Sequence, residues 1–176
     1  MIIEGLLQFD SSFNGALAIG TYSSTNVLDL GELNGLPTSA NGGGARDLGI
    51  GDDPALKIFS AVTTAFTSGG AGTLGALLQG APDNGAGAPG AWTTFWTGPV
   101  LALASLIVGA ELANIDMPKA PQGVGPPRFL RMQYVIGGAT MTAGAVQSEI
   151  VLDRFDQPKG ITGLLSGYRA GITVAN

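Results

Sequence analysis

Residues 128–156, RFLRMQYVIGGATMTAGAVQSEIVLDRFD, constrain the fold more than any other stretch of the chain. Leu130, Met132, Tyr134 and Ile136 share one parity, while Phe129, Arg131, Gln133 and Val135 share the other, which is the period of a strand with one apolar face. In the second limb Val146, Ser148, Ile150 and Leu152 alternate with Gln147, Glu149, Val151 and Asp153. Between the limbs, residues 137–144 supply the glycines that a reversal needs. Neither limb carries the 3.6-residue period of an amphipathic helix, and β-branched and aromatic residues are frequent in both, so an antiparallel hairpin is expected. Leu130, Met132, Ile150 and Leu152 are expected to fill its core face, with Phe129, Arg131, Gln147 and Glu149 on the more polar side.

The rest of the chain supplies more short strands. Alternation or β-rich composition marks residues 2–9, 24–30, 55–66, 73–79, 92–97, 111–117 and 171–174, and residues 14–22 form a further segment between the first two. Residues 31–53 are glycine-rich with little periodicity and read as a long exposed loop. A second glycine-rich loop, 80–90, contains Asp83-Asn84-Gly85, a turn signature. Four prolines in 118–127 lead into the hairpin, and residues 157–176 read as an extended arm. The apolar run 99–110, PVLALASLIVGA, is too short for a helix to cross a bilayer, which takes roughly 20 residues, so it is expected as a buried element, either a short helix or a connection over one end of the barrel. Eight or nine short strands with almost no helix imply an all-β chain: one domain over residues 1–176, a two-sheet antiparallel sandwich of jelly-roll type with long glycine-rich loops and extended terminal arms.

Composition narrows function mainly by exclusion. Eight Lys and Arg against thirteen Asp and Glu give a net charge of -5, so no basic footprint for direct nucleic-acid binding or an anionic membrane is expected. Charged residues are only 12% of the chain against 45% hydrophobic. So neutral a balance favours a surface packed against other subunits. Without histidine or cysteine the chain lacks the commonest general base, the commonest metal ligand and a thiol nucleophile, which weighs against an enzyme. The start, MIIEGLLQFD, has no basic segment or continuous apolar run and does not read as a signal peptide.

A few groups invite a chemical reading, each with a plainer one beside it. Asp52-Asp53 and the Asp153/Asp156 pair suit a hard cation, or solvated turns. Glu111 and Glu149 offer the carboxylate pair of a glycosidase, or exposed strand glutamates. Trp92 and Trp96, expected on one face, suit sugar stacking, or a core or subunit interface suggested by Phe95 beside them. The run Gly42-Gly43-Gly44 lacks the Lys-Ser/Thr of a phosphate loop. Arg46, Arg128, Arg131 and Arg169 are scattered candidates for ion pairs to a partner. No catalytic residue, cofactor or metal site is assigned; the candidate subunit or partner interface is Trp92, Trp96, Arg46, Arg128, Arg131 and Arg169.

Several segments together resemble a known family. STNVLDLG at 24–31, ARDLGIGD at 45–52, the run from Trp92 to Pro99, PRFLRMQYVIGG at 127–138, EIVLDRFDQ at 149–157 and the closing YRAGITVAN are similar to the capsid cement, or decoration, proteins of tailed bacteriophages. The resemblance implies a jelly roll without catalytic residues or cofactor, sitting on the outside of the virion capsid. It also implies a homo-oligomer, with a dimer expected and a trimer as the alternative, and the major capsid protein as partner. A carbohydrate- or receptor-binding module of a virion is the competing expectation.

Overall fold

The structure, a computed structural model, describes residues 7–31 and 56–152. Most of the 31–53 loop, the 157–176 arm and its strand at 171–174, Arg46, Arg169, Asp52-Asp53 and Asp153/Asp156 lie outside the described residues. Ten strands follow in order: β1 Gln8–Asn14, β2 Gly20–Ser23, β3 Leu28–Asp29, β4 Leu56–Ser68, β5 Thr73–Ala81, β6 Thr93–Thr97, β7 Leu101–Ala102, β8 Glu111–Asp116, β9 Phe129–Gly137 and β10 Met141–Leu152. Of the 2–9 stretch marked by alternation, Gln8 and Phe9 begin β1, and residues 2–6 lie outside the described residues.

One sheet runs β1-β10-β4-β8 and the other β2-β9-β5-β6, with the two-residue β3 pairing β9 and β7 pairing β5. Among the long strands every connection crosses from one sheet to the other except β5 to β6, and all pairings are antiparallel. This is the double Greek key of a jelly roll, as the strand count and spacing predict.

The expected hairpin is corrected. β9 and β10 do not pair: β9 lies between β2 and β5, and β10 between β1 and β4. Alternation states which side chains face the core but not which strand lies alongside, and two strands facing each other across a sandwich have the same pattern as two neighbours in one sheet. The link is the short arch of Gly138, Ala139 and Thr140, with Gly138 at φ +72°. A side chain at Gly138 would run into the Ala71 carbonyl, so only glycine serves there.

Leu130, Met132, Tyr134 and Ile136 of β9 are buried against Val146, Ile150, Phe13, Ile58 and Val62 of the opposite sheet. On β10 burial is two-sided. Ile150 faces the core as expected, but Glu149 is 0% exposed and Val151 is also buried, so the expectation of a polar outer side fails there. Phe129, also expected on the polar side, is buried as well.

The 99–110 run is not a buried helix; the other expectation holds, a connection over one end of the sandwich. It contributes β7, a 3-10 turn Leu103–Ser105 and then loop, and only Leu106 is fully buried. Its backbone is satisfied by neighbours: Leu103 N–H donates to Gly72 O (2.9 Å), Phe66 N–H to Leu106 O (3.0 Å) and Gly109 N–H to Val62 O (2.8 Å). With no consecutive helical turns, there is no apolar stripe to hide, and several apolar side chains stay in solvent.

Candidate interaction surfaces

The outer face of the β2-β9-β5-β6 sheet carries Arg131 and Trp92. Cross-strand partners share a face, and Arg131 lies opposite Gln79, which lies opposite Thr94. Arg131 Nε donates to Gln79 Oε1 at 2.9 Å, and Gln79 Nε2 donates to Thr94 Oγ1 at 3.4 Å. The guanidinium carbon sits 4.1 Å from the centre of the Trp92 ring, a cation–π stack. Partial burial pulls the Arg131 pKa below its ordinary value.

Trp96 is elsewhere, which corrects the shared face expected of the two tryptophans. Between the pairs Leu78–Trp96 and Gln79–Thr94 the register shifts by one residue, leaving Phe95 in a bulge. An extra residue inverts parity beyond it, so Trp96 follows core-facing Leu78 while Thr94 follows outward Gln79. Phe95 and Trp96 both pack against the core, with Phe95 Cζ 2.7 Å from where a side chain on Gly80 would begin. The sheet face therefore presents one tryptophan already stacked under an arginine, rather than a pair of open rings.

Arg128, just before β9, is held by its own chain. Its Nε donates to Asp29 Oδ1 at 3.0 Å and Nη2 to Asp29 Oδ2 at 3.1 Å, the two-pronged geometry that suits a guanidinium, and Nη1 donates to Asp83 Oδ2. Asp83 also accepts the N–H groups of Gly85 (2.8 Å) and Gly87 (3.0 Å), so the turn read from Asp83-Asn84-Gly85 is fastened through Arg128 to β3. Burial alone would raise the pKa of Asp29, but the Arg128 hydrogen bonds, the Gly31 N–H and the Arg128 charge outweigh it and hold the carboxyl below its ordinary value. Asp83 is lowered too, where desolvation is again outweighed, here by the Gly85 and Gly87 N–H groups and by Arg128. Arg128 is raised, chiefly by the Asp29 hydrogen bond. The two carboxylates that occupy Arg128 were not legible as its partners, because they lie 99 and 45 residues away along the chain.

Between the sheets runs a buried polar chain that the sequence did not reveal. Tyr134 Oη of β9 lies 2.8 Å from Asp10 Oδ2 of β1 and 2.7 Å from Ser148 Oγ of β10, and Ser148 Oγ lies 2.6 Å from Ser60 Oγ of β4. A phenol has one proton. Given to the Asp10 carboxylate, it leaves Oη to accept from Ser148, whose own oxygen accepts from Ser60. Thr25 N–H caps the other Asp10 oxygen at 2.8 Å. Burial first, and the Asp10 carboxylate second, push the Tyr134 pKa well above the usual tyrosine range. The Phe13 ring lies 4.2 Å from the tyrosine ring. The chain ties four strands at fixed register, a structural use of polar groups rather than an open site.

On the outer face of the other sheet, Lys57 Nζ donates to Asp116 Oδ1 of the neighbouring strand at 2.5 Å. Glu149, expected in solvent, accepts from Gln147 Nε2 at 3.1 Å and is wholly buried. Glu111, the other half of the supposed carboxylate pair, accepts from Asn114 Nδ2 at 3.3 Å.

None of the curated proteins matches the chain. A family model does, that of Bbp16, over residues 14–150, from the last residue of β1 to within two residues of the end of β10. The match takes in every strand of the jelly roll beyond β1, and the chain belongs to the Bbp16 family.

Proposed function

We propose that the chain is a capsid cement protein of a tailed bacteriophage: a structural, non-catalytic homodimer that binds the outside of the assembled capsid and stabilises it by bridging neighbouring major capsid protein subunits. One observation carries the reading. Of the segments of the cement-protein resemblance that fall on described residues, 24–31, 92–99 and 127–138 meet in one sheet, on β3, β6 and β9, inside the span matched by the family, while the described start of 149–157 lies on β10 of the other sheet. The charge-poor surface supports it as well, since a protein that works by broad packing against neighbours has little use for isolated charges.

The mechanism is linkage. A ligand that binds only the assembled shell stabilises that state, by roughly 2.7 kcal/mol per site at a free concentration a hundredfold above its dissociation constant. A dimer that reaches two capsid subunits makes its second contact intramolecular, so modest single contacts combine into tight binding. A double Greek key suits such a clamp, because its described strands are already ordered by their sheet hydrogen bonds before binding.

The test is to add purified protein to capsids stripped of it, then measure co-sedimentation and the temperature of DNA release. The reading requires saturable binding and a raised release temperature; a protein that stays in the supernatant overturns it. The glycan-binding alternative has weaker support, because Trp92 is stacked under Arg131 and Trp96 packs inward.

A further inference from the structure

At one end of the sandwich four connections come together: residues 15–19 between β1 and β2, 69–72 between β4 and β5, 98–110 between β6 and β8, and 138–140 between β9 and β10. They touch one another. Met141 N–H at the start of β10 donates to Leu17 O (3.0 Å), Leu103 N–H to Gly72 O (2.9 Å), and a side chain on Gly70 would begin 3.1 Å from Ala139 Cβ. None of these residues is charged. Apolar side chains stand out from the same surface: Val100 is 68% exposed, Ile107 62%, Val108 64% and Ile19 59%. They are held rather than loose, because Leu106, 1% exposed, plugs the core beneath Ile107 and the loop backbone is bonded to β4 and β5.

We infer that this uncharged loop end is the surface through which two copies of the chain associate. Three features fix the occupant as a second copy. The chain is net negative at -5, so copies repel one another wherever their charges meet, and this end removes that cost. The surface carries exposed apolar side chains, at Val100, Ile107 and Val108, beside exposed backbone without side chains, at Gly69 and Gly109, where an added side-chain carbon would meet nothing within 4 Å; a patch with both can pack against its own copy about a two-fold axis. The four loops together match the roughly 20–30 residues per side of a standard-size interface. This deepens the self-association part of the proposed function and leaves capsid binding to other surfaces.

The test uses the full chain. Mass by analytical ultracentrifugation is compared for the wild type, Val108→Asp, and Val27→Asp, the last placing the same charge on an exposed valine in a different loop, just before β3. In a two-fold contact Val108→Asp buries two like charges, so its dimer dissociation constant should rise at least tenfold, with Val27→Asp within threefold of wild type. Raising NaCl should leave the wild-type dimer as tight or tighter, since only repulsion is there to screen. Thermal melts establish that each variant is folded; should Val108→Asp fail to fold, Ile107→Ser is measured against the same expectation. A monomeric wild type, a Val108→Asp dimer as tight as wild type, or equal weakening by both variants overturns the inference. Capsid co-sedimentation separates the two readings: a monomeric Val108→Asp that still binds capsids leaves the capsid proposal standing, while a wild-type dimer that ignores capsids overturns that proposal and leaves this one.

Discussion

The loops around Arg128 and the loops around Leu106 do the same job, carrying the chain from one strand to the next, by opposite means. Around Arg128 the chain is fastened by charge: one guanidinium grips Asp29 of β3 and Asp83 of the 82–90 turn. Around Leu106 there is no charge, and the fastening is an apolar plug, close glycine contacts and backbone hydrogen bonds between loops. A charged clamp satisfies its groups internally and offers little to a partner, whereas a plugged loop frees its remaining apolar side chains to face outward. The two regions should therefore fail under different conditions.

Removing the plug should have the largest effect. Leu106→Ala is expected to cost about 2–5 kcal/mol in denaturant unfolding, as for other fully buried leucines; a cost below that range would mean the backbone bonds alone hold the loop. Next comes the buried polar chain between the sheets, which belongs to neither region. Tyr134→Phe strands the Asp10 carboxylate in the interior and should cost about 1–3 kcal/mol near neutral pH. Because Tyr134 titrates higher in the folded chain than in the unfolded one, its contribution is complete below the ordinary tyrosine value near pH 10 and is lost as pH rises through the raised native value. The wild type should thus show an alkaline loss of stability that Tyr134→Phe lacks, and matching alkaline melts for the two would refute this.

The clamp should matter less at neutral pH, about 1 kcal/mol for Arg128→Met after allowing for solvent screening. Its signature lies in acid. Asp29 and Asp83 are held low, so the stability they contribute is present above the ordinary carboxylate value near pH 4 and disappears as pH falls through their depressed native values. Arg128→Met should flatten that acid limb, as measured by melting temperature between pH 2 and 6, whereas Leu106→Ala should leave its shape unchanged. Smallest of all should be Thr142→Ala, which removes a 2.8 Å hydroxyl contact with Thr67 in solvent; a change beyond about 0.5 kcal/mol would mean that exposed polar contacts near the loop end do more than surface contacts usually do.

Periodicity made the all-β class, the jelly roll and the buried face of β9 legible, because Leu130, Met132, Tyr134 and Ile136 record a local property, the pleat. What it could not give was lateral partnership. The same alternation fits a hairpin and a pair of strands facing across a core, so β10 was assigned to the wrong neighbour. Parity also fails wherever one residue is inserted without a sequence mark, as at Phe95, and Trp96 was misplaced with it. Burial of Glu149 depends on what lies over both faces of its sheet, which no local pattern encodes. In the 99–110 run apolar composition does not mark burial, since only Leu106 is buried in full, and of its two expected forms the connection over one end is the one found.

The position of β10 bears on the order in which the protein can be made. β1 pairs with β10, through partners such as Gln8 and Glu149, and β10 also separates β1 from β4. A nascent chain therefore carries β1 with an unsatisfied edge through the synthesis of every other described strand, until β10 is out. Contacts this distant along the chain make folding slow and leave strand edges exposed to other chains. A chain stopped after Thr140 should accordingly remain unfolded or aggregate, and a folded, cooperative melt from that fragment would refute it. The dozen residues of β10 thus act as the release that turns an adhesive intermediate into a closed sheet.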